Sequence, residues 1–281
     1  MVRGMLGRDH ALLGGVGYLA VAPMLVRHLS PETLGIGAVT SAAFALVPDI
    51  DEPGSTVSRK LGPISRSVSR FTNKFAGGHR QGTHSLLFAA LVGVGAWYAA
   101  QSRLAMTIVV VAGFLLVLRM LLPRSIARMA GVGMLAIDAL AGWWMWTRYA
   151  SLTTNSIDWF LLATAGGCLW HFIGDTLTVE GVPYFWLPGV RPLQSIRVAV
   201  PLVGHCGSAR ESALGVLMSV ALVWMVAVLV VFPIAHTVHI PSLHIPSFHL
   251  PALPHPSVPN VGGLVQSGRS AAQNAAGALS H

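Results

Sequence analysis

Seven long apolar runs, 11–26, 33–47, 86–100, 104–122, 130–146, 157–174 and 213–235, alternate with polar breaks along the chain. A helix needs ~20 residues to cross the hydrocarbon layer of a bilayer. The last run meets that length, whereas the first three are shorter and glycine-rich and are expected to tilt, to borrow flanking residues or to form a re-entrant pair. Between the second and third runs the period changes. Ile64, Val68, Phe71 and Phe75 follow the i, i+4, i+7, i+11 spacing of one helical face, and Arg66, Arg70 and Lys74 occupy another. This predicts an amphipathic helix near 61–75 that lies in the headgroup layer and prefers anionic lipid, the alternative being a solvated basic loop that only sets topology. From residue 236 the pattern gives way to prolines interleaved with His239, His244, His249 and His255 in a unit of about five residues. Such a Pro/His-rich tail, 236–281, favours polyproline or disordered chain as a spacer or docking segment, with weak metal binding as the lesser reading.

Composition sharpens the membrane assignment. Of the 281 residues, 53% are hydrophobic and only 10% charged, and the mean hydropathy is +0.64; soluble domains carry ~25% charged residues. The net charge of +8 therefore reports orientation before any polyanion, and no nucleic acid is expected as a partner. Arg59, Lys60, Arg66, Arg70, Lys74 and Arg80 share one connection, and Arg124 and Arg128 another, so both are expected in the cytoplasm. Residues 1–26 resemble a secretory leader only superficially, since no small-x-small cleavage site follows. Cys168 sits in an apolar run and Cys206 in a short connection, which does not suggest a disulfide framework.

If all seven runs cross, one membrane face collects His10, Asp49 with Asp51, His79 with His84, His171 with Asp175, and Glu211. Imidazole and carboxylate together suit zinc or a similar divalent ion. His171 and Asp175, four apart, share one face of a helix. Asp49 and Asp51, two apart, point the same way if the backbone is extended after Pro48. The Gly77-Gly78 pair and Gly82 allow a turn that brings His79 and His84 together.

The runs Pro48-Asp49-Ile50-Asp51, Gly78-His79-Arg80-Gln81-Gly82-Thr83-His84-Ser85, His171 through Asp175 to Gly181-Val182-Pro183 with Trp186 and Pro188, and Gly207-Ser208-Ala209-Arg210-Glu211 resemble the YdjM-like family of bacterial inner-membrane proteins. The resemblance spans about residues 5–225 and matches His10 to the family's early histidine. Gln81-Gly82 stands where an aromatic often precedes the threonine, and Val179 where proline is usual; neither change removes a ligand. The resemblance implies a metal-dependent hydrolase. The order of ligand types is also similar to that of zinc-dependent phospholipase C, which implies His10, Asp49, His79 or His84, His171 and Asp175 as ligands.

The expected fold is all-α, a polytopic transmembrane helical bundle over 1–235 with a cytoplasm-facing metal site, followed by the tail. The expected function is hydrolysis of a lipid-linked or membrane-borne ester or phosphoester by metal-activated water, in the inner membrane. His10, Asp49, His79, His84, His171 and Asp175 are the candidate ligands, zinc the first candidate ion, Asp51 or Glu211 the candidate base, and Arg80 a clamp for phosphate or carboxylate. Two other readings stand beside it. A transporter would use Asp138, a carboxylate inside the fifth run, and a non-catalytic scaffold would use metal to staple the helix ends.

Overall fold

The computed structural model describes residues 5–60, 63–122, 133–151 and 157–237. The tail beyond residue 237 lies outside the described residues, as do Arg124 and Arg128. In chain order the helices are α1 (Gly7–Leu25), α2 (Pro31–Phe44), α3 (Thr56–Lys60), α4 (Pro63–Ala76), α5 (Leu86–Ala100), α6 (Arg103–Leu121), α7 (Gly133–Ser151), α8 (Asp158–Thr176), α9 (Arg191–Ser195) and α10 (Ala209–Val226). A π-helical turn, Ala227–Val231, joins α10 to α11 (Phe232–Thr237). The fold is all-α, with two isolated β-bridges, Thr178 to Gly204 and Val182 to Val198, in the connection after α8. Among the described residues, three helical stretches, Pro31–Asp51, Arg103–Leu121 and Ala209–Ala235, are long and apolar enough to cross a membrane.

Serines start several of these helices. Ser30, Ser85, Ser102 and Ser208 each precede a helix and accept the amide N–H three residues on, satisfying a donor that the first turn leaves free. Apolar clusters then fix the helix directions. Val26, Ala96, Val110, Met145, Trp159 and Phe160 gather the ends of α1, α5 and α7 with the starts of α6 and α8. Ala11, Leu46 and Leu116 gather the start of α1 with the chain after α2 and the end of α6. The long helices therefore alternate in direction.

At the centre, α1, α2 and α8 pack closely through small residues, the mode by which helices associate where no water drives them together. A Cβ on Gly14 would lie 2.8 Å from the Ser41 carbonyl oxygen, and one on Gly167 only 2.7 Å from the same atom. Ser41 Oγ returns a bond of 2.9 Å to the Gly14 carbonyl. This contact sets α8 against the end of α2, where His171 and the Asp49 turn meet.

Helix α4 is inverted relative to a soluble surface helix. Ser65 and Ser69 face inward; Ser58 Oγ donates to Ser69 Oγ at 3.0 Å, and Ser65 Oγ donates to the Ser58 carbonyl at 2.8 Å. The apolar face is the exposed one: Phe71 is 64% exposed and Phe75 67%, against 0% for Ser69.

Candidate metal centre

After α2 the chain turns through a short 3-10 helix, Pro48–Asp51, in place of the extended backbone expected after Pro48. Proline at the first helical position is pre-set for helical φ. With three residues per turn, positions two apart diverge, and the two aspartates do different work. Asp49 Oδ1 lies 3.8 Å from both His84 Nε2 and His171 Nε2. Asp51, fully buried, turns away to bond His79 Nδ1 at 2.8 Å and to accept from the Arg80 amide at 3.2 Å and from Thr83 Oγ1.

The run between α4 and α5 folds back on itself as its glycines foreshadow. Gly77 and Gly78 take φ of 84° and 109°, and Arg80 itself is left-handed at 57°, a conformation rare outside glycine and stabilised here by surrounding bonds. The His79 and His84 rings end 5.3 Å apart, and His84 lies 4.8 Å from His171.

Two groups of ligand atoms result, each lying within 4.8 Å of one another: His10, His171 and Asp175, and Asp49, His84 and His171. These buried His/Asp clusters could hold a metal ion. His84 Nε2 and His171 Nε2 are 3.0 Å apart, and Asp175 Oδ2 is 3.4 Å from the first and 3.5 Å from the second. Bonds of ~2.0–2.2 Å to a tetrahedral ion imply ligand-to-ligand edges of roughly 3.3–3.6 Å. The edges among His84, His171 and Asp175 fit that figure with shifts of a few tenths of an ångström, and Asp49 reaches the two histidines at 3.8 Å. His10 stacks on His171 at 3.7 Å and directs Nε2 to Asp175 Oδ1 at 3.4 Å.

Hydrogen bonding prepares these donors. His171 Nδ1 donates to the Ala45 carbonyl at 2.7 Å, which leaves Nε2 as the free lone pair. That lone pair accepts from His84 Nε2 at 3.0 Å. Burial opposes charge on His84, yet the Asp175 and Asp51 carboxylates outweigh it and push its pKa up to about 9. His79 is raised for a similar reason: burial works against it, and the bond and charge of Asp51 prevail.

The remaining candidates take other places. His79 meets the cluster through Asp51 and stands outside both ligand groups. Arg80 is buried with its guanidinium committed to Asp175, to Thr178 Oγ1 at 3.2 Å and to Glu180 at 3.4 Å, so the carboxylate it holds belongs to the protein. Glu211 accepts the Leu6 amide at 2.6 Å and the Gly207 amide, tying the start of α1 to the start of α10. Asp138 pairs with Arg119, whose Nε lies 2.9 Å away, which gives the carboxylate of the transporter reading a structural partner.

The profile of the YdjM inner membrane protein family matches residues 5–238. The chain belongs to that family. It is a membrane protein, and among curated proteins and solved structures nothing matches it. The family match covers every residue of the two ligand groups.

Sequence reasoning did not single out Thr83, Thr178, Glu180 or Asn73. Thr83 bonds both Asp51 and His84 Nδ1, the latter at 3.1 Å. Asn73 Nδ2 donates to the Asp51 carbonyl at 2.7 Å. The signal for Asn73 was available as a polar residue on the side of α4 that carries neither its apolar nor its cationic stripe.

Proposed function

We propose that this chain is a multi-pass inner-membrane hydrolase that uses a divalent ion, zinc first, to cleave a lipid-linked or membrane-borne ester or phosphoester on the cytoplasmic side. The observation that supports it most is Asp175 Oδ2, a buried carboxylate oxygen without a hydrogen-bond partner, beside the Nε2 atoms of His84 and His171. The oxygen makes no hydrogen bond and is balanced by the His84 ring 3.4 Å away, and a divalent ion in place of the His84 proton would satisfy it and both imidazoles together. The donor set of two imidazoles and carboxylates suits a first-row ion in preference to calcium or magnesium, which favour all-oxygen sites.

Asp49, His84, His171 and Asp175 would hold the ion, and His10 would join a second position with His171 and Asp175. A bound divalent ion polarises a scissile carbonyl or phosphoryl group and lowers the pKa of a coordinated water toward ~7. His79, 22% exposed and oriented by Asp51, is the proton carrier within reach of solvent. Arg80 fixes Asp175 through a charge-assisted bond and keeps its second oxygen turned to the histidines. Glu211, with both oxygens taken by amides, holds α10 in place and is set aside as base.

Hydrolysis is tested by incubating the purified full chain with phospholipid and lipid-pyrophosphate substrates and following release of water-soluble product. Turnover should require added metal and vanish in His171→Ala. Product formation that survives both chelation and His171→Ala refutes the reading. Sidedness is tested by labelling Ser67→Cys and Ser257→Cys in intact cells; cytoplasmic α4 with an external tail predicts that only position 257 reacts.

A further inference from the structure

We infer that α4 and the connection between α8 and α10 together form a docking surface for an anionic bilayer face, placed at the end of the bundle that carries the His/Asp cluster. Its use in feeding substrate rests on the hydrolase reading; the contact itself does not. The serine face of α4 is spent on α3. The helix consequently shows two further faces outward, Val68, Phe71 and Phe75 on one and Arg66, Arg70 and Lys74 on the other. An exposed apolar face flanked by cations complements acyl chains beneath anionic headgroups.

The connection after α8 carries the surface onward. It is pinned to the bundle by Val200 N–H to the Thr176 carbonyl at 2.7 Å and by Val203 N–H to the Leu177 carbonyl at 3.0 Å. It still leaves Phe185, Leu187 and Ile196 exposed. Trp186 joins the two parts, since its ring would lie 3.0 Å from a Cβ on Gly82 and 3.9 Å from one on Gly77, just beyond the end of α4. Asn73 links the same helix to the Asp51 turn. The apolar rim and the His/Asp cluster therefore share one end of the bundle. A substrate anchored in the bilayer would meet the site with its headgroup first and its chains still in lipid.

The test uses the full chain reconstituted in phosphatidylcholine bilayers with or without phosphatidylglycerol, carrying a nitroxide at F71C, L187C or R70C in a C206S background. In the anionic bilayers, power saturation should show oxygen exceeding nickel-chelate accessibility at positions 71 and 187, and the reverse at position 70. Neutralising the cationic face with R66Q, R70Q and K74Q should lower selectivity for spin-labelled phosphatidylglycerol by about fivefold per cation removed. Water-like accessibility at both 71 and 187 overturns the surface. Lipid-like accessibility with unchanged selectivity in the neutralised variant overturns its anionic preference. Metal content is read in the same samples: water-facing positions with metal retained defeat this inference alone, and lipid-facing positions without metal defeat the hydrolase reading alone.

Discussion

Replacing Asp51 with Asn separates orientation from ligation. Asp51 is buried and faces His79 Nδ1 with one oxygen and the Arg80 amide and Thr83 hydroxyl with the other. An asparagine can keep its carbonyl toward the latter two donors, which turns its NH2 group toward His79. His79 Nδ1 must then accept, and the ring proton moves to Nε2. The bond lost is one to a charged acceptor, roughly 1.5–3 kcal/mol, or about 1–2 pKa units at 1.36 kcal/mol each. Because Asp51 is what raises His79 against its burial, the Asp51→Asn protein should show a His79 pKa below the ordinary ~6.5. The assay is NMR of 15N-histidine-labelled, chelator-treated protein in detergent, with His79 assigned by His79→Asn. A His79 that titrates at its wild-type pH with the same tautomer would refute the reasoning.

Removing His171, shared by both ligand groups, should abolish metal binding, whereas His10→Ala should retain the ion held by Asp49, His84, His171 and Asp175; elemental analysis of both variants decides. In chelated protein, His84 contributes stability fully present below its unfolded pKa of ~6.5 and lost as pH rises through its folded value of about 9. Metal affinity should run the opposite way, climbing toward pH 9 as the His84 proton leaves, and melts with and without zinc across that range should diverge. Breaking the Arg119 and Asp138 pair by Arg119→Met should lower stability by about 2 kcal/mol, less than the ~3–5 of a fully buried pair because both side chains keep some exposure. The double variant Arg119→Met with Asp138→Leu should recover most of that loss in thermal unfolding. Gly167→Ala should lower both the melting temperature and metal affinity, because its Cβ meets the Ser41 carbonyl and pushes α8 from the Ala45 turn.

Much of this was legible in sequence because hydrophobic runs and ligand types are both local signals. The run 86–100 coincides with α5, and 157–174 lies within two residues of α8. Alternating crossings put His84 and His171 on one face, and ligand-competent residue types with the family resemblance pointed to their meeting, which the 3.0 Å Nε2 contact shows. What escaped were features that depend on contacts between distant segments. The 3-10 turn separates Asp49 from Asp51, a choice a dipeptide pattern does not reveal. Arg80 reads as a clamp for a foreign anion until Asp175, ninety-five positions on, is seen against it. The serines of α4 look like a neutral filler between stripes, and only Ser58 shows why the apolar stripe faces outward.

X-ray absorption at the zinc edge of the full chain, purified in detergent and loaded with one equivalent of zinc, tests the central claim most directly. The account predicts a first shell of nitrogen and oxygen at ~2.0–2.2 Å with the outer-shell scattering of two imidazoles, reduced to one in His84→Ala. A shell containing sulfur, or one unchanged by His84→Ala and by His171→Ala, would contradict it.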